Sequence, residues 1–255
     1  PSLRKIDMSK LKDKPTMTFN RAYVAFEDWG FHPNYYLCID EQDILSIGKD
    51  VSKMIDEGKI DHFFLPHEFN IGRGKKNVTQ LVNVPDPWMM LGSISDYVYI
   101  KENNLMVTHL MPNAGWMGMK MFYLMGYTEV ALLGCDARYR TDAESQKSIT
   151  WDENGCVSHE DYDPNHFRDD YFGKNQRFGR PADHDEIQRQ WRQGRKEIDR
   201  IPFEIYWGMG HDKEKFDQIP PEEYDFRVYS CSEGSALNHI FPYVPFEDFL
   251  NGKRE

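Results

Sequence analysis

A single histidine set among acidic and aromatic residues is the first feature of the sequence that could carry chemistry. The stretch DPNHFRDDYFGK, residues 163–174, places His166 beside Asp163, Asp169 and Asp170. An unperturbed imidazole has a pKa of about 6.5 and exchanges protons at neutral pH, and a neighbouring carboxylate can orient the ring. A lone histidine can also be an idle surface residue in a polar loop. Because the stretch is too polar for a core strand and too aromatic for an idle linker, we predict that it binds a ligand.

Basic side chains follow this stretch, although the whole chain has a net charge of −11. We expect Lys174 and Arg177, which come directly after the histidine, to attract a phosphate or an anionic sugar. Three further arginines lie on the next predicted helix, where they could simply form a solvent-exposed charged face; these are Arg189, Arg192 and Arg195. The acidic balance of the chain disfavours binding to nucleic acid.

The composition predicts one folded domain over residues 1–255. Hydrophobic residues make up 40% of the chain and aromatic residues 14%, which is enough for a sizeable core. The four cysteines are far apart and form no C-x-x-C pair, so we expect neither a zinc site nor a disulfide framework. No apolar run of about 18 residues occurs, and the first residues lack a signal-peptide pattern. These features predict a soluble, cytoplasmic protein.

Short apolar runs, which predict strands, alternate with patterns that predict helices. These strands and helices must position the histidine stretch. This alternation predicts a Rossmann-like α/β fold, with a mostly parallel sheet covered by helices on both faces. Ligands of such sheets bind at the carboxyl ends of the strands, where Asp40 and Asp136 are expected to receive ribose hydroxyls or to cap helices. The predicted strands are 17–20, 35–40, 62–66, 96–101, 128–136, 203–208 and 226–231, and the predicted helices are 21–29, 41–56, 114–127 and 244–252.

Residues 137–181 show little periodicity and are predicted to form a lid. Loops of this length in a compact domain are usually functional or disordered, and the aromatic content favours an ordered, functional one. Asp183 and Glu186 then form a capping box that predicts a helix to about residue 200.

Two turns have the residue types of phosphate or ribose contacts. Asn113, Ala114 and Gly115 precede a helix, whose free backbone N–H groups attract phosphate. Ser232 and Ser235 lie in the turn SCSEGSALNH, residues 230–239. In both turns the alternative interpretation is an ordinary helix cap.

Three stretches together resemble a known superfamily. They are TFNRAYVAFEDWGFHPNYYLCID, AGWMGMKMFYLMGYTEVALLGCD and DPNHFRDDYFGK. The sequence resembles the bacterial CMP-sialic-acid transferases and a related domain-of-unknown-function group that includes flagellin glycosylation factors and a pterin diphosphokinase.

The resemblance implies roles for several residues. His166 matches the family's catalytic histidine, and Asn20 matches an asparagine that reads the nucleotide. After the strand that ends in Asp136, the family places a tyrosine that donates to the leaving phosphate; here Arg138 is in the nearest register and Tyr139 follows it, and either could serve.

The resemblance also implies the function. The expected enzyme is a glycosyltransferase that moves a sialic-acid-like sugar from a CMP-sugar to a glycan or protein acceptor, with a histidine base and without a metal or other cofactor. Homo-oligomer formation and peripheral membrane association are further expectations. The alternatives are a pterin-type diphosphokinase that uses ATP and Mg²⁺, a transferase whose metal clasp is Asp161-Tyr162-Asp163, and a non-catalytic nucleotide-sugar-binding protein.

Overall fold

The computed structural model describes most of the 255-residue chain. The described residues are 2–83, 98–111, 113–137, 149–152, 155–161, 166–175, 177–178, 185–195 and 226–254. The predicted strand 203–208 lies outside them.

A mostly parallel sheet forms the centre of the described fold. Its strand order is β1-β2-β3-β4-β6-β5, and all neighbours are parallel except β5, which runs antiparallel to β6. The strands are β1 (Met17–Phe19), β2 (Tyr35–Leu37), β3 (His62–Pro66), β4 (Val78–Asn83), β5 (Val98–Ile100) and β6 (Leu105–Thr108). Strands β7 (Glu129–Leu132) and β11 (Arg227–Ser230) form a separate parallel pair.

Helices cover both faces of the sheet, which confirms the predicted α/β fold. The helices are α1 (Phe26–Trp29), α2 (Glu41–Glu57), α3 (Ala114–Leu124), α4 (185–195) and α5 (Phe246–Leu250). Alternate residues of β2 point to opposite faces: Tyr36 packs in the cluster that contains α2, and Leu37 packs in the cluster that contains α3. Both faces are therefore apolar, as a doubly covered parallel sheet requires.

The boundaries of several elements differ from those predicted. The predicted helix 21–29 is a 3₁₀ helix, Asn20–Ala25, followed by the short α1. Helix α3 ends at Leu124, and the Gly126 backbone after it is left-handed. Strands β4 and β6 were not predicted at all.

The predicted lid contains a small sheet that the sequence analysis missed. Strands β8 (Ile149–Asp152), β9 (Gly155–Ser158) and β10 (Arg177–Phe178) pair antiparallel in the order β10-β9-β8. The histidine stretch therefore lies in a segment that carries its own secondary structure.

Helices α3 and α4 interlock through two tryptophan and glycine pairs. A Cβ atom on Gly115 of α3 would come within 2.7 Å of the Trp191 ring, and one on Gly194 of α4 would come within 3.0 Å of the Trp116 ring. Both tryptophans are buried. Each helix thus receives an indole at a position where its own backbone has no side chain.

In the ranges that the structure describes, no helix has both the length and the apolar character needed to cross a bilayer.

Candidate functional site

His166 is among the residues that line a cavity of about 510 Å³, which extends along β1 and β7. The same cavity is lined by Phe19 at the end of β1 and by Gly134 and Cys135 just beyond β7. Strands β1 to β4 follow one another along the six-stranded sheet, and β7, which pairs with β11 in a separate sheet, lines the same cavity as β1. Open α/β sheets bind ligands at the carboxyl ends of their strands.

The His166 ring is held by aromatic neighbours of the lid. It stacks on Tyr171 with a centroid distance of 4.1 Å and an interplanar angle of 3°, and it meets the Phe172 ring edge-on at 5.1 Å. Its backbone carbonyl accepts a hydrogen bond from Arg4 Nη2 at 3.1 Å. Stacking of this kind restricts the ring to one orientation, as a catalytic imidazole needs.

Ion pairs join the histidine stretch to the body of the fold. Arg4 pairs with Asp169 at 2.7 Å, and Arg168 pairs with Asp170 at 2.7 Å and also with Asp28 at the end of α1. The Phe167 ring lies 5.8 Å from the Trp29 ring. These contacts place the stretch against α1 and the amino-terminal turn in this conformation.

Arg21 and Asp43 are two charged residues whose charges interact, and the charge of His166 also acts on Asp43. Arg21 is buried, donates from Nη2 to Ser46 Oγ at 3.2 Å, and lies over the Phe172 ring at 5.2 Å. Burial, together with the charge of Asp40, raises the pKa of the Asp43 carboxyl to about 6, although Arg21 and His166 act in the opposite direction. A carboxyl group whose pKa lies near neutrality is typical of functional sites, although Asn20, Arg21 and Asp43 are not among the residues that line the cavity.

The raised pKa predicts a pH dependence of stability that depends on Asp43. The native state holds the proton more tightly than the unfolded chain does, so the stabilisation is complete below pH about 4 and is lost as the pH rises to about 6. Between pH 4 and pH 6, we expect the contribution of Asp43 to the free energy of unfolding of the wild type to fall by about 2 kcal/mol. The variant Asp43→Asn should show no such fall. Urea unfolding over this pH range measures the difference.

Asp13 supplies the control for that measurement because its side chain is exposed. Asp13→Asn should retain the wild-type slope of unfolding free energy against pH. An unchanged slope in Asp43→Asn would contradict the assignment.

Asn20 begins the turn after β1 in a left-handed conformation, with φ of 50°. Its carbonyl accepts a hydrogen bond from the Tyr36 hydroxyl at 2.6 Å. The side-chain Oδ1 is buried and has no hydrogen-bond partner among the described residues, and the same is true of Arg21 Nε. Buried polar atoms without partners are costly, so each is a candidate contact for a bound ligand.

The two strand-end aspartates have structural partners. Asp40 caps α2 by accepting a hydrogen bond from the Asp43 backbone N–H at 3.0 Å. Asp136 accepts one from the Ser2 backbone N–H at 3.1 Å. Asp40 remains exposed, whereas Asp136 is partly buried beside the amino-terminal turn.

The start of α3 is a capped helix end covered by a tryptophan. Asn113 Oδ1 accepts a hydrogen bond from the Trp116 backbone N–H at 2.9 Å. The asparagine therefore acts as an ordinary helix cap, which was the alternative to a phosphate contact. The Trp191 ring packs on Gly115, and Ala114 is partly buried beside it. In this conformation the first turn of α3 is occupied by the chain's own groups.

The two serines of the late turn also hold the fold together. Ser232 Oγ accepts a hydrogen bond from the Gly134 backbone N–H at 2.8 Å. Ser235 caps the 3₁₀ helix Ala236–His239 through the Leu237 backbone N–H and donates to the Cys135 carbonyl at 2.7 Å. Both hydroxyls thereby fix the turn after β7 against the turn after β11.

Four further predicted residues lie in or after the start of the lid. The Lys174 side chain is exposed, and its backbone N–H donates to Asp161 Oδ1 at 2.7 Å. Arg177 begins β10, opposite Val157 of β9. Arg138 and Tyr139 lie outside the described residues, as do Tyr162 and Asp163 of the predicted metal clasp.

Arg21 and Asp43 were not predicted from the sequence as site residues. Arg21 directly follows Asn20, and Asp43 sits three residues after Asp40 in the segment CIDEQD. The signal that could have found them is an arginine and an aspartate in the segments that follow two adjacent strands, because the carboxyl ends of adjacent parallel strands meet at one edge of the sheet.

In the part of the chain that the structure describes, no three His, Cys, Asp or Glu side chains converge as the ligands of a metal ion would. Comparisons with protein-family models, with curated proteins and with solved structures found no match to this chain.

Proposed function

We propose that this protein is a glycosyltransferase that moves a sialic-acid-like sugar from a CMP-linked donor to a hydroxyl of a glycan or protein acceptor. The observation that carries the proposal is the position of His166, whose ring stacks on Tyr171 and which lines a cavity that reaches the carboxyl ends of β1 and β7. The volume of about 510 Å³ falls within the usual range for small-molecule sites.

His166 acts as the general base in this reaction. Its ring nitrogen takes the proton of the acceptor hydroxyl while the acceptor oxygen bonds to the anomeric carbon of the sugar. The bond between that carbon and the phosphate oxygen breaks, and CMP leaves with the electron pair. The proton then passes from the imidazole to solvent.

Arg21 and Asn20 supply binding groups for the nucleotide. Arg21 Nε and Asn20 Oδ1 are buried without partners among the described residues, so a donor and an acceptor are available at the end of β1. Arginine binds phosphate oxygens, and an amide oxygen accepts from a base or a ribose hydroxyl. The net charge of −11 makes such a local basic group important for an anionic donor.

The acidic composition and the four widely spaced cysteines favour a cytoplasmic location for this activity.

A second candidate function is the transfer of a diphosphate group from ATP, and one observation favours it. Asp40 caps α2 and Asp43 lies in the first turn of that helix, and the charge of Asp40 contributes to the raised pKa of Asp43. Two neighbouring carboxylates that repel one another are suitable ligands for Mg²⁺. This function would require Mg²⁺, whereas the glycosyltransferase would not.

Nucleotide binding should distinguish the two functions. We expect CMP at 100 times its Kd to stabilise the protein by about 2.7 kcal/mol, since a ligand that binds only the native state shifts unfolding by mass action. Thermal unfolding with CMP, CDP, UDP, ADP or ATP, each with and without Mg²⁺, measures the shift. A preference for adenine nucleotides that depends on Mg²⁺ would favour diphosphate transfer instead.

Arg21→Gln provides a variant for the same measurement, with Arg73→Gln as its control. Arg73 contacts His67 in the loop between β3 and β4 and is exposed. The control should keep the full shift with CMP, and Arg21→Gln should lose most of it. If no nucleotide stabilises the wild type, the proposed function is wrong.

A further inference from the structure

A second cavity of about 620 Å³, which we call the basic cavity, is lined by the loop that joins β3 to β4 and by the turn that joins β5 to β6. Loop residues 73–76 and turn residues 101–104 line it, together with Gln80 of β4. Among the described residues, none lines both this cavity and the one that His166 lines. The basic cavity is therefore separate from the site of the proposed transfer reaction.

Positive charge dominates the walls of the basic cavity. Four lining side chains are cations; these are Arg73, Lys75, Lys76 and Lys101. Among the described lining residues, Glu102 is the one carboxylate, so the lining groups carry a net charge of +3 when His67 is neutral. Arg73 Nη2 donates to His67 Nε2 at 2.6 Å, a contact that brings no negative charge. On a chain with a net charge of −11, such a local excess of cations attracts anions.

The lysines of the basic cavity are available to a ligand. All three are exposed, and no ion pair with another described residue holds Lys76 or Lys101. Lys75 pairs with Asp56 at 3.0 Å, but both side chains are more than half exposed. Ion pairs of that kind contribute little free energy, so Lys75 can exchange its partner for a bound anion.

One buried polar atom in the basic cavity lacks a partner. Gln80 is 1% exposed, and its Nε2 donates to the Ile71 carbonyl at 2.9 Å. Because only the NH₂ end of an amide can donate to a carbonyl, this bond fixes the orientation of the amide. Gln80 Oε1 then has no hydrogen-bond partner among the described residues. An unpaired buried acceptor costs free energy, and a hydroxyl group of a ligand would supply the missing donor.

The Asn104 side chain joins the two segments that line the basic cavity. Its Nδ2 donates to the Val78 carbonyl at 2.6 Å and to the Lys76 carbonyl at 3.2 Å, and its Oδ1 accepts from the Tyr99 hydroxyl. These bonds tie the turn that contains Lys101 to the segment that contains Lys76. The backbone that carries the cations is thus positioned before a ligand arrives, which reduces the free-energy cost of binding.

We propose that the basic cavity binds a small polyol that carries two phosphate groups. A phosphate monoester has a charge of about −1.5 to −2 at pH 7, so two of them balance a lining charge of +3, whereas one would leave an excess of cations. The cations come from two separate segments, which suits two separated phosphate groups. A hydroxyl group of the polyol donates to Gln80 Oε1. The volume of about 620 Å³ is within the usual range for small-molecule sites.

Fructose 1,6-bisphosphate is the probe that tests this proposal. Titration calorimetry on the intact chain at low ionic strength compares it with fructose 6-phosphate, inorganic phosphate and fructose. We expect the bisphosphate to bind at least about tenfold more tightly than the monophosphate, because the second phosphate adds charge-assisted hydrogen bonds. Fructose alone should not bind. No binding of the bisphosphate, or equal affinity for the bisphosphate and the monophosphate, would overturn the proposal.

Removal of two lysines tests whether the cations of this cavity bind the probe. Lys76→Gln combined with Lys101→Gln should weaken the binding of fructose 1,6-bisphosphate by at least about tenfold, since hydrogen bonds to charged groups are lost. The matched control is Lys12→Gln combined with Lys49→Gln, which removes the same charge from exposed positions outside the basic cavity. The control should bind as the wild type does. Equal weakening in the two double variants would show attraction to the overall charge only and would overturn the assignment.

Glu102→Gln is expected to change affinity in the opposite direction. It removes the one carboxylate among the described lining residues and with it a repulsion, so the bisphosphate should bind about threefold more tightly. Glu41→Gln, at an exposed position at the start of α2, is the control and should leave affinity unchanged. Weaker or unchanged binding by Glu102→Gln would count against the proposed site.

Gln80→Met tests the contact with the hydroxyl group. It removes Oε1 at similar side-chain volume and should weaken binding of the bisphosphate by about fivefold, the usual effect of one neutral hydrogen bond. Undiminished affinity would contradict the role of Gln80. If this buried variant fails to fold, the lysine and glutamate variants, all at exposed positions, still decide the proposal.

Hydrogen exchange locates the bound probe. Saturating fructose 1,6-bisphosphate should slow amide exchange within residues 73–80 and 101–105, and slowing confined to other segments would overturn the proposal. None of these measurements uses a nucleotide or a residue that lines the other cavity. Failure here would therefore leave the proposed transferase activity standing, and the reverse also holds.

Discussion

Substitution of His166 by alanine is expected to lower the rate of sugar transfer by about 10²- to 10⁴-fold while CMP still binds. The imidazole is the only candidate base in the described part of the site whose ring is held by stacking, on Tyr171 at a centroid distance of 4.1 Å. Its loss removes proton abstraction from the acceptor but leaves Arg21 and Asn20 in place for the nucleotide. Initial rates with a CMP-linked acidic sugar, together with thermal shifts by CMP, measure the two effects separately.

His239→Ala is the matched control for that experiment. His239 is exposed and ends the 3₁₀ helix after β11, so its loss should leave both rate and binding unchanged. A His166→Ala variant as active as the wild type would contradict the role of the base. A wild type that binds CMP but transfers no sugar would identify a binding protein instead of an enzyme.

Trp116→Ala is expected to cost about 3–5 kcal/mol in unfolding free energy, the usual range for a buried tryptophan. Trp116 is 1% exposed and fills the space over Gly194, where a Cβ atom would come within 3.0 Å of the ring. Alanine would leave a cavity between α3 and α4 that neither backbone can close. Urea unfolding followed by circular dichroism measures the loss.

The control for Trp116→Ala is Tyr243→Ala, which removes an aromatic ring that is 41% exposed. That change should cost less than about 1 kcal/mol. The interlock can be tested further with Gly115→Ala, which adds a methyl group against Trp191 and should cost about 1–3 kcal/mol. Combining Gly115→Ala with Trp191→Leu should recover part of that cost because the leucine gives way. Equal losses for Trp116→Ala and Tyr243→Ala would contradict the packing described here.

The fold class was predictable because strong local signals repeat along the first half of the chain. The apolar run YYLCID predicts a strand, and the pattern of residues 41–56 predicts a helix. That helix is confirmed as α2, which occupies Glu41–Glu57. Strand β4 was not predicted because it buries polar residues: Gln80 donates to the Ile71 carbonyl at 2.9 Å, and Thr79 meets His62 at 2.8 Å. Only the tertiary contacts that satisfy such residues make them compatible with a buried strand.

Site residues could be predicted from the sequence where one short stretch contains all the informative residues. They could not be predicted where residues from distant parts of the chain come together only in the folded protein. His166 stood out from its own neighbours, and the cavity beside it fits the prediction that the stretch binds a ligand, which remains to be tested. Arg21 and Asp43 did not stand out, because the raised pKa of Asp43 comes mainly from its burial in the folded protein and then from the charge of Asp40.

The helix start at Asn113 shows a further limit of sequence patterns. A capping asparagine and a phosphate-binding turn share the same residue types, and only the packing of Trp191 on Gly115 shows that the chain itself covers this end.

The antiparallel strand β5 has a consequence for how copies of this protein meet one another. Among the described strands it forms one edge of the six-stranded sheet with only three residues, and it is followed by the 3₁₀ turn Lys101–Asn103 and the left-handed Asn104. Such a short, charge-terminated border gives a foreign strand few ladder bonds, which is how natural sheets resist edge-to-edge aggregation. Among the described residues, this edge therefore offers few backbone hydrogen bonds for the addition of a strand from another copy of the protein.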